Sequence, residues 1–368
     1  MRFYHSFPRV SRRRPLSNSE QDALAVGILR SVLSYGLLLT PEALEIPPNP
    51  DSDLQNPPVT VINQRRACFT LLSRQELTED GTHLDNFGAF SIGLDTRLAR
   101  GLGIVPTFYY YRSHQSEDPS PLDSGISQQV LFRLSELRRL SIALARVEAQ
   151  AEPNSGRYKQ TDYLNEYGLT FEDEPGVGSI GGVNRRKARC LTKLLDTDRV
   201  PAWNLAEWIE LILSMFQTAD SSERGRHLAY YDQREWRIIQ LYGEGLVCHS
   251  LTRRELDALR DPKRVLILQK ARAELSALLQ RFRVGVEPED CFLLLGTSRN
   301  PFRDFVSEII VPSNSRADAA GVLRETGMID FFVEIEANGF AVFERNRSAY
   351  GMPCVVPRAG NEENTHEC

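Results

Sequence analysis

The stretch YYDQREWRIIQLYGEG, residues 230–245, places charged residues within an apolar pattern and decides how the central sheet is read. As a strand, it puts Trp236 on one face and Glu235, Arg237 and Ile239 on the other. A glutamate and an arginine therefore continue into an apolar row, where an unpaired charge is costly. Two interpretations follow: the two residues form a structural ion pair, or the strand lines a cleft that holds a polar ligand.

Composition and charge are those of an ordinary globular protein. The chain has 368 residues, of which 41% are hydrophobic and 25% are charged, and its formal net charge is −5. This charge gives no overall attraction to nucleic acid or to an anionic membrane. The N-terminus lacks the apolar core of a signal peptide, and no apolar run approaches the about 20 residues of a membrane helix. The sequence therefore predicts a soluble cytoplasmic protein that does not enter a membrane.

The spacing of cysteines and histidines matches no common metal or disulfide motif. The six cysteines are far apart and include no CxxC pair, which argues against a zinc knuckle and against a dense disulfide framework. The histidines show no HExxH spacing, and the chain has no GxSxG nucleophile elbow. We therefore expect no metal ion and no serine or cysteine nucleophile.

Strand and helix signals come in uneven groups, which favours an α+β fold with mixed or antiparallel central sheets. DALAVGILRSVLSYG predicts a helix that ends at Gly36, and LLLTPE predicts a strand that leads into a turn at Pro41. FFVEIEANGFAVFE predicts a hairpin around Asn338-Gly339. We predict a single domain over residues 1–344 with a helical insertion at about 124–226, followed by a poorly ordered tail at 345–368.

Several residues stand out as candidates for a functional site. They are, in chain order, His5 on the first strand, the run Tyr109, Tyr110 and Tyr111, and Glu235. Each has a structural alternative: a satisfied core histidine, packing of a sheet, and an ion pair with Arg237. GVGSIG, residues 176–181, matches the dinucleotide fingerprint as a string but lacks the preceding strand and the following helix, so it predicts a loop.

Four blocks of the sequence resemble the AbiGi-type abortive phage-resistance proteins and related bacterial families that share an EWR block. These blocks are ACFTLL (67–72), NFGAFSIGLDTRLARGLGIVPTFYYY (86–111), YYDQREWRII (230–239) and SEIIVPSNSRA (307–317). The resemblance implies a role in bacterial defence, in which an infected cell is arrested before the phage spreads. Proteins of this kind are usually described as the antitoxin partner of a toxin.

The opening segment, YHSF followed by LRSVLSYGLLLTPE, also resembles ADP-ribosyltransferase-like folds. In such enzymes a first-strand histidine positions NAD, an aromatic ring stacks on nicotinamide and a late-strand glutamate fixes the ribose. This resemblance implies that NAD is the cofactor and that Glu235 and His5 are catalytic. Arg237, two residues from Glu235 on the same face, is the third predicted catalytic residue, which would hold Glu235 ionised or bind a phosphate. The implied cofactor-binding residues are Tyr109, Tyr110, Tyr111 and Thr70.

Two other classes of function stay open at the level of sequence. The first is a non-catalytic antitoxin or phage sensor that binds a protein partner, because the chain has no self-sufficient catalytic motif. The second is an RNA-binding or RNA-cleaving effector, which rests on the basic clusters at residues 12–14 and 185–189. Short charge runs are more often solvated surface than nucleic-acid sites.

Overall fold

The computed structural model describes residues 1–8, 16–46, 60–79, 83, 87–110, 130–131, 134–135, 137–138, 209–213, 215–218, 234–239 and 246–346. The strands are β1 (Arg2–Phe7), β2 (Leu37–Ile46), β3 (Thr60–Leu72), β4 (Phe90–Leu94), β5 (Val105–Pro106), β6 (Phe108–Tyr110), β7 (Phe216–Thr218), β8 (Glu235–Ile239), β9 (Leu246–Ser250), β10 (Phe292–Thr297), β11 (Val306–Pro312), β12 (Phe331–Ala337) and β13 (Phe340–Arg345). The helices are α1 (Asn18–Ser34), α2 (Arg74–Glu79), α3 (Thr96–Ala99), α4 (Arg253–Ala258), α5 (Pro262–Arg281) and α6 (Arg316–Glu325). Residues 209–213 and the described residues between 130 and 138 are also helical.

The sheet divides into two branches at β3. Thr70 of β3 pairs with Tyr4 of β1 on one edge and with Glu235 of β8 on the other. In its N-terminal part, β3 pairs with β2 instead of β1. There Arg66 pairs with Thr40 of β2 on one edge and with Ile239 of β8 on the other. Because a strand has two edges, β1 and β2 must share one edge of β3 while β8 occupies the other. One branch continues through β4, β11, β13 and β12, and the second through β10 and β9.

The fold is α+β and its large sheet is antiparallel, as the grouping of sequence signals predicts. Each strand pair of this sheet is antiparallel, and β5 lies beyond β8. The short strands β6 and β7 form a separate parallel pair. Nearly all of the predicted helical insertion at about 124–226 and the tail beyond residue 346 lie outside the described residues.

The faces of the sheet differ in chemistry. The helix face carries Phe3, Phe69, Ile92 and Trp236, which pack with α1 and α6 in the largest apolar cluster. The polar face carries the alternate residues, and is defined by the row Tyr4, Thr70, Glu235 and Glu308 together with Arg237. A second apolar cluster, formed by α4, α5 and β10, covers part of the other branch.

Helix α1 packs in the apolar cluster that also contains residues of both branches. It begins at a capping box, in which the Ser17 hydroxyl accepts from the Glu20 amide and the Glu20 carboxylate accepts from the Ser17 amide. It ends before Gly36, whose φ of 138° is an angle that glycine adopts easily and other residues rarely adopt. A Cβ at this position would lie 2.2 Å from the Leu294 carbonyl oxygen, so glycine also permits the close approach of β10. The predicted end of the helix is therefore confirmed.

The predicted hairpin is confirmed, and the predicted turn at Pro41 is wrong. Asn338 and Gly339 have φ values of 54° and 80°, the left-handed pair that a tight two-residue hairpin turn needs. Pro41 instead lies within β2, where it is paired with Arg65. Strand β10 pairs with β2 only from Leu37 to Leu39. Pro41 lies beyond this pairing, so its missing N–H removes no hydrogen bond to β10. Among the described residues, no helix combines the length and the apolar character needed to cross a membrane.

Candidate functional site

Strand β8 has the alternation that its sequence predicts. Trp236 lies on the helix face, with its ring centroid 5.1 Å from that of Phe3. Glu235 and Arg237 lie on the polar face, where they stand opposite Thr70 and Cys68 of β3. Two adjacent strands therefore contribute four polar or ionisable side chains to one surface.

Glu235 and Arg237 form a largely buried ion pair. The Arg237 Nε donates to Glu235 Oε1 at 2.9 Å, and the Arg237 side chain is 0% exposed against 12% for Glu235. The Arg237 guanidinium also donates to the Phe216 carbonyl at 3.1 Å. A buried arginine that bonds both a carboxylate and a backbone carbonyl has the geometry of a structural ion pair. This geometry favours the first of the two interpretations of the strand.

The β3 residues beside this pair do not include an activated nucleophile. Burial, followed by the negative charge of Glu235, raises the pKa of the Cys68 thiol to about 12. The thiol is therefore protonated at neutral pH, and a thiol in that state is a poor nucleophile. Thr70 is buried next to Glu235, and Arg66 is buried and donates to Glu42 at 2.6 Å. This part of the polar face thus carries the charge pairs Arg237 with Glu235 and Arg66 with Glu42.

The backbone of the tyrosine segment starts beside Glu235. The Thr107 amide donates to the Glu235 carbonyl at 2.9 Å, and the following strand β6 contains Tyr109 and Tyr110. The side chains of these two tyrosines, and the whole of Tyr111, lie outside the part of the chain that the structure describes. The structure therefore places Thr107, two residues before Tyr109, against the backbone of Glu235.

His5 is not part of that group, because it lies on the opposite face of the sheet. It pairs with Ile92 of β4, and its ring centroid is 5.4 Å from that of Phe69 on the helix face. Its Nδ1 donates to the Cys68 carbonyl at 2.8 Å, since a carbonyl can only accept. This carbonyl lies where β1 and β2 diverge along β3, so the histidine bonds a backbone group beside the branch point. Burial lowers the pKa of His5, which favours the neutral ring.

A second polar group on the same face was missed at the level of sequence. Glu308 of β11 is fully buried and accepts from the Tyr4 hydroxyl at 2.6 Å. Arg2 and Arg74 pair with both Glu308 and Glu344. The sequence did contain a sign of this group. Glu308 interrupts the apolar run VSEIIVP, just as Glu235 interrupts the apolar pattern of its own strand. All these charges have partners within the protein.

No cation site is evident in the described ranges, which contain no group of three or more His, Cys, Asp or Glu side chains placed to hold a metal ion. The basic clusters at residues 12–14 and 185–189, and the GVGSIG segment, lie outside those ranges. A ligand or partner that binds the described polar face would therefore contact hydrogen-bonding groups and charges that are already paired.

The fold and the polar face define an α+β protein with a branched antiparallel sheet and a buried ionic row. Comparisons with protein-family models, with curated proteins and with solved structures found no match. Its function has to be inferred from this geometry and from the four sequence blocks.

Proposed function

We propose that this protein is a non-catalytic component of bacterial antiphage defence, an antitoxin-type protein that binds a protein partner in the cytoplasm. The observation that supports this choice is the separation of His5 from Glu235 on opposite faces of the sheet. The four blocks that resemble the AbiGi-type proteins supply the biological setting.

Catalysis by these residues would need a common substrate within reach of both. A general base or a positioning group acts at hydrogen-bond distance from the reacting atoms. Side chains on opposite faces of one sheet are separated by its backbone and cannot contact the same atoms. Glu235 is also engaged with Arg237, and the Cys68 thiol is protonated. A binding role requires none of these groups to react.

Growth and co-purification experiments test the binding role. The chain is expressed alone, and then together with the product of the adjacent gene, in a bacterial host with and without phage. An antitoxin leaves growth unchanged alone, restores growth when the neighbouring toxin is present, and co-purifies with it. Growth arrest by this chain alone, relieved by Glu235→Gln, would contradict the proposal.

An ADP-ribosyltransferase-like enzyme that uses NAD is the second candidate. It is favoured by the order strand, helix, strand that begins with the strand of His5, and by the bond from Thr107, two residues before Tyr109, to the Glu235 backbone. In that chemistry, cleavage at nicotinamide develops positive charge on the ribose, which a glutamate carboxylate stabilises. NAD would then lie on the polar face near Thr70, without His5.

Incubation of the purified protein with labelled NAD and cell extract separates the two candidates. The enzyme transfers or hydrolyses the label, and Glu235→Gln abolishes this while the protein stays folded. The non-catalytic protein leaves NAD intact. Binding of RNA that weakens steeply with rising salt would instead indicate the nucleic-acid role of the basic clusters.

A further inference from the structure

Helix α5 carries apolar side chains on its solvent-facing side as well as on its buried side. Leu268 and Leu275 are buried against the sheet, as the inner face of an amphipathic helix requires. Leu266 and Ile267, however, are 67% and 43% exposed. One exposed aliphatic residue is ordinary on a protein surface, whereas two neighbours begin an apolar patch. The core of the protein does not explain this pair.

The two exposed residues belong to one stripe along the outer side of α5. Lys263, Leu266, Ile267 and Lys270 follow the spacing i, i+3, i+4 and i+7, so they share one face of the helix. All four side chains are exposed. The aliphatic pair therefore lies between two lysines. These four residues are called the α5 stripe below.

The surface around the α5 stripe is positively charged, although the whole chain has a formal net charge of −5. Residues 253–272 contain seven basic and three acidic residues. Two of the acids pair with arginines, Asp257 with Arg253 at 4.0 Å and Asp261 with Arg264 at 3.2 Å. The exposed basic residues of this segment are Arg253, Arg254, Arg260, Lys263, Arg264 and Lys270. An excess of positive charge therefore meets solvent beside the aliphatic pair.

Charge and side-chain type decide which partner fits this surface. A second copy of the chain would bring two positive surfaces together, and these repel each other. Proteins that bind single-stranded nucleic acid add stacked aromatic rings to their basic groups, whereas the α5 stripe has aliphatic side chains. Protein interfaces are rich in aromatic residues and arginine and poor in lysine. Lysines beside protruding leucine and isoleucine are typical of a helix that rests on an anionic bilayer.

We propose that the α5 stripe and the basic residues around it bind the surface of an anionic lipid bilayer. Leu266 and Ile267 insert at the boundary between headgroups and acyl chains, while the ammonium groups of Lys263 and Lys270 stay among the lipid phosphates. The arginines of α4 add attraction to the negative surface potential. Stable attachment needs both terms, because either alone gives marginal binding. This interaction does not depend on the protein partner proposed above.

Flotation of the full chain with lipid vesicles tests this proposal. The probes are vesicles of phosphatidylcholine alone and vesicles of an equal mixture of phosphatidylcholine and phosphatidylserine. We expect the protein to float with the anionic vesicles only, and the bound fraction to fall as salt screens the charges. Lys263→Gln/Lys270→Gln should weaken binding by about fivefold for each charge removed. Leu266→Ser/Ile267→Ser should weaken it by about tenfold or more, through the loss of apolar insertion.

The matched controls make comparable changes elsewhere on the exposed surface. Ile329→Ser removes an aliphatic side chain that is 79% exposed, and Arg97→Gln/Arg100→Gln removes two exposed charges. Both controls should bind the anionic vesicles as the wild type does. The proposal is overturned if the wild type does not float with them, or if the stripe variants bind as well as the controls. A chain that binds single-stranded RNA or polyglutamate but not the vesicles would equally overturn it, in favour of a nucleic acid or an acidic protein.

Discussion

Arg237 shows at the scale of one residue how the polar face is stabilised. Its side chain is fully buried, and its bonds reach the Glu235 carboxylate and the Phe216 carbonyl. Removing one partner of a buried pair leaves an unpaired charge in a medium that solvates it poorly, which costs more than the pair itself contributes. Substitution of either residue should therefore destabilise the protein.

We expect Arg237→Met to lower the free energy of unfolding by about 3–5 kcal/mol, because Glu235 loses its partner at 12% exposure. Glu235→Gln should cost a similar amount, because the amide oxygen still accepts from Nε but leaves the fully buried Arg237 guanidinium without a counter-charge. Urea unfolding measures both values. Arg253→Met is the matched control, because Arg253 is 85% exposed and pairs at 4.0 Å with Asp257. Equal, small losses for all three variants would show that the pair is not structural.

His5 should make stability depend on pH in a defined direction. Burial lowers its pKa in the folded protein below the ordinary 6.5. As the pH falls through 6.5, the unfolded chain takes up a proton that the folded chain refuses, so stability decreases until the lowered folded pKa is passed. Above pH 7 both states are neutral and this contribution is flat.

Comparison of wild type with His5→Asn isolates this effect. Asparagine keeps an N–H donor near the Nδ1 position but does not titrate. We expect the difference in unfolding free energy between the two proteins to change between about pH 7 and pH 5 and to be constant above it. His249, whose pKa burial also lowers, contributes equally to both proteins and cancels. Parallel curves across this range would contradict the lowered pKa of His5.

The face of each β8 residue was predictable, whereas the partners of that strand were not. Alternation within one strand is local, so Glu235 and Arg237 had to share a face. The position of His5 relative to Glu235 depends on how β1 and β8 each pair with β3, and these pairings join distant parts of the chain. Chain order alone carries no such information, so the sequence could not show that the two residues lie on opposite faces of the sheet.

At the scale of elements, four strands are held together by a row of residues in register. Tyr4, Gly93, Glu308 and Glu344 stand opposite one another on β1, β4, β11 and β13. The Tyr4 ring reaches over Gly93 so that its hydroxyl can donate to Glu308. Burial raises the pKa of this tyrosine to about 12, which keeps the donor protonated. The missing side chain at Gly93 makes this crossing possible.

Gly93→Ala should therefore destabilise the protein by about 1–3 kcal/mol, the usual cost of overpacking. The added Cβ would lie 2.9 Å from the Tyr4 ring and 3.2 Å from the Glu308 Cβ, which are held by their bond. Gly321→Ala in α6 is the control, because nothing lies within 4 Å of its added Cβ and alanine favours helix. Thermal or urea unfolding measures both. An equal gain at the two sites would show that Tyr4 does not cross Gly93.

Elements with strong local signals were predicted well, and the exception has a tertiary cause. The helix ending at Gly36 and the Asn338-Gly339 turn follow from backbone preferences that act over a few residues. Pro41 was read as a turn because proline usually interrupts a strand. It is tolerated in β2 because the second branch has separated from that edge, a fact set by β10 and not by the local sequence.

The branching of the sheet belongs to the whole molecule and could not be read from the sequence. Strand β3 has 13 residues, and it serves β1, β2 and β8 at different points along its length. A periodic pattern identifies a long strand but does not say how many neighbours it has. The two branches nevertheless share one apolar cluster, since α1 packs against both of them.

A shared core predicts that the two branches unfold together. The cluster contains Leu37 and Leu294 from one branch, Ile92 and Phe343 from the other, and Leu29 of α1. Separating the two branches would expose apolar surface on both of them. The free-energy cost is about 25 cal/mol for each Å² exposed. The described core should therefore behave as one cooperative unit.

The variant Trp203→Phe/Trp208→Phe leaves Trp236 as the single tryptophan, on the helix face at the branch point. We expect its fluorescence and the far-UV circular dichroism to report the same urea midpoint. Leu29→Ala, which removes a fully buried side chain, should shift both midpoints equally, at a cost of about 2–5 kcal/mol. Two separate transitions, with Leu29→Ala moving only one of them, would mean that the branches are independent and that α1 does not join them.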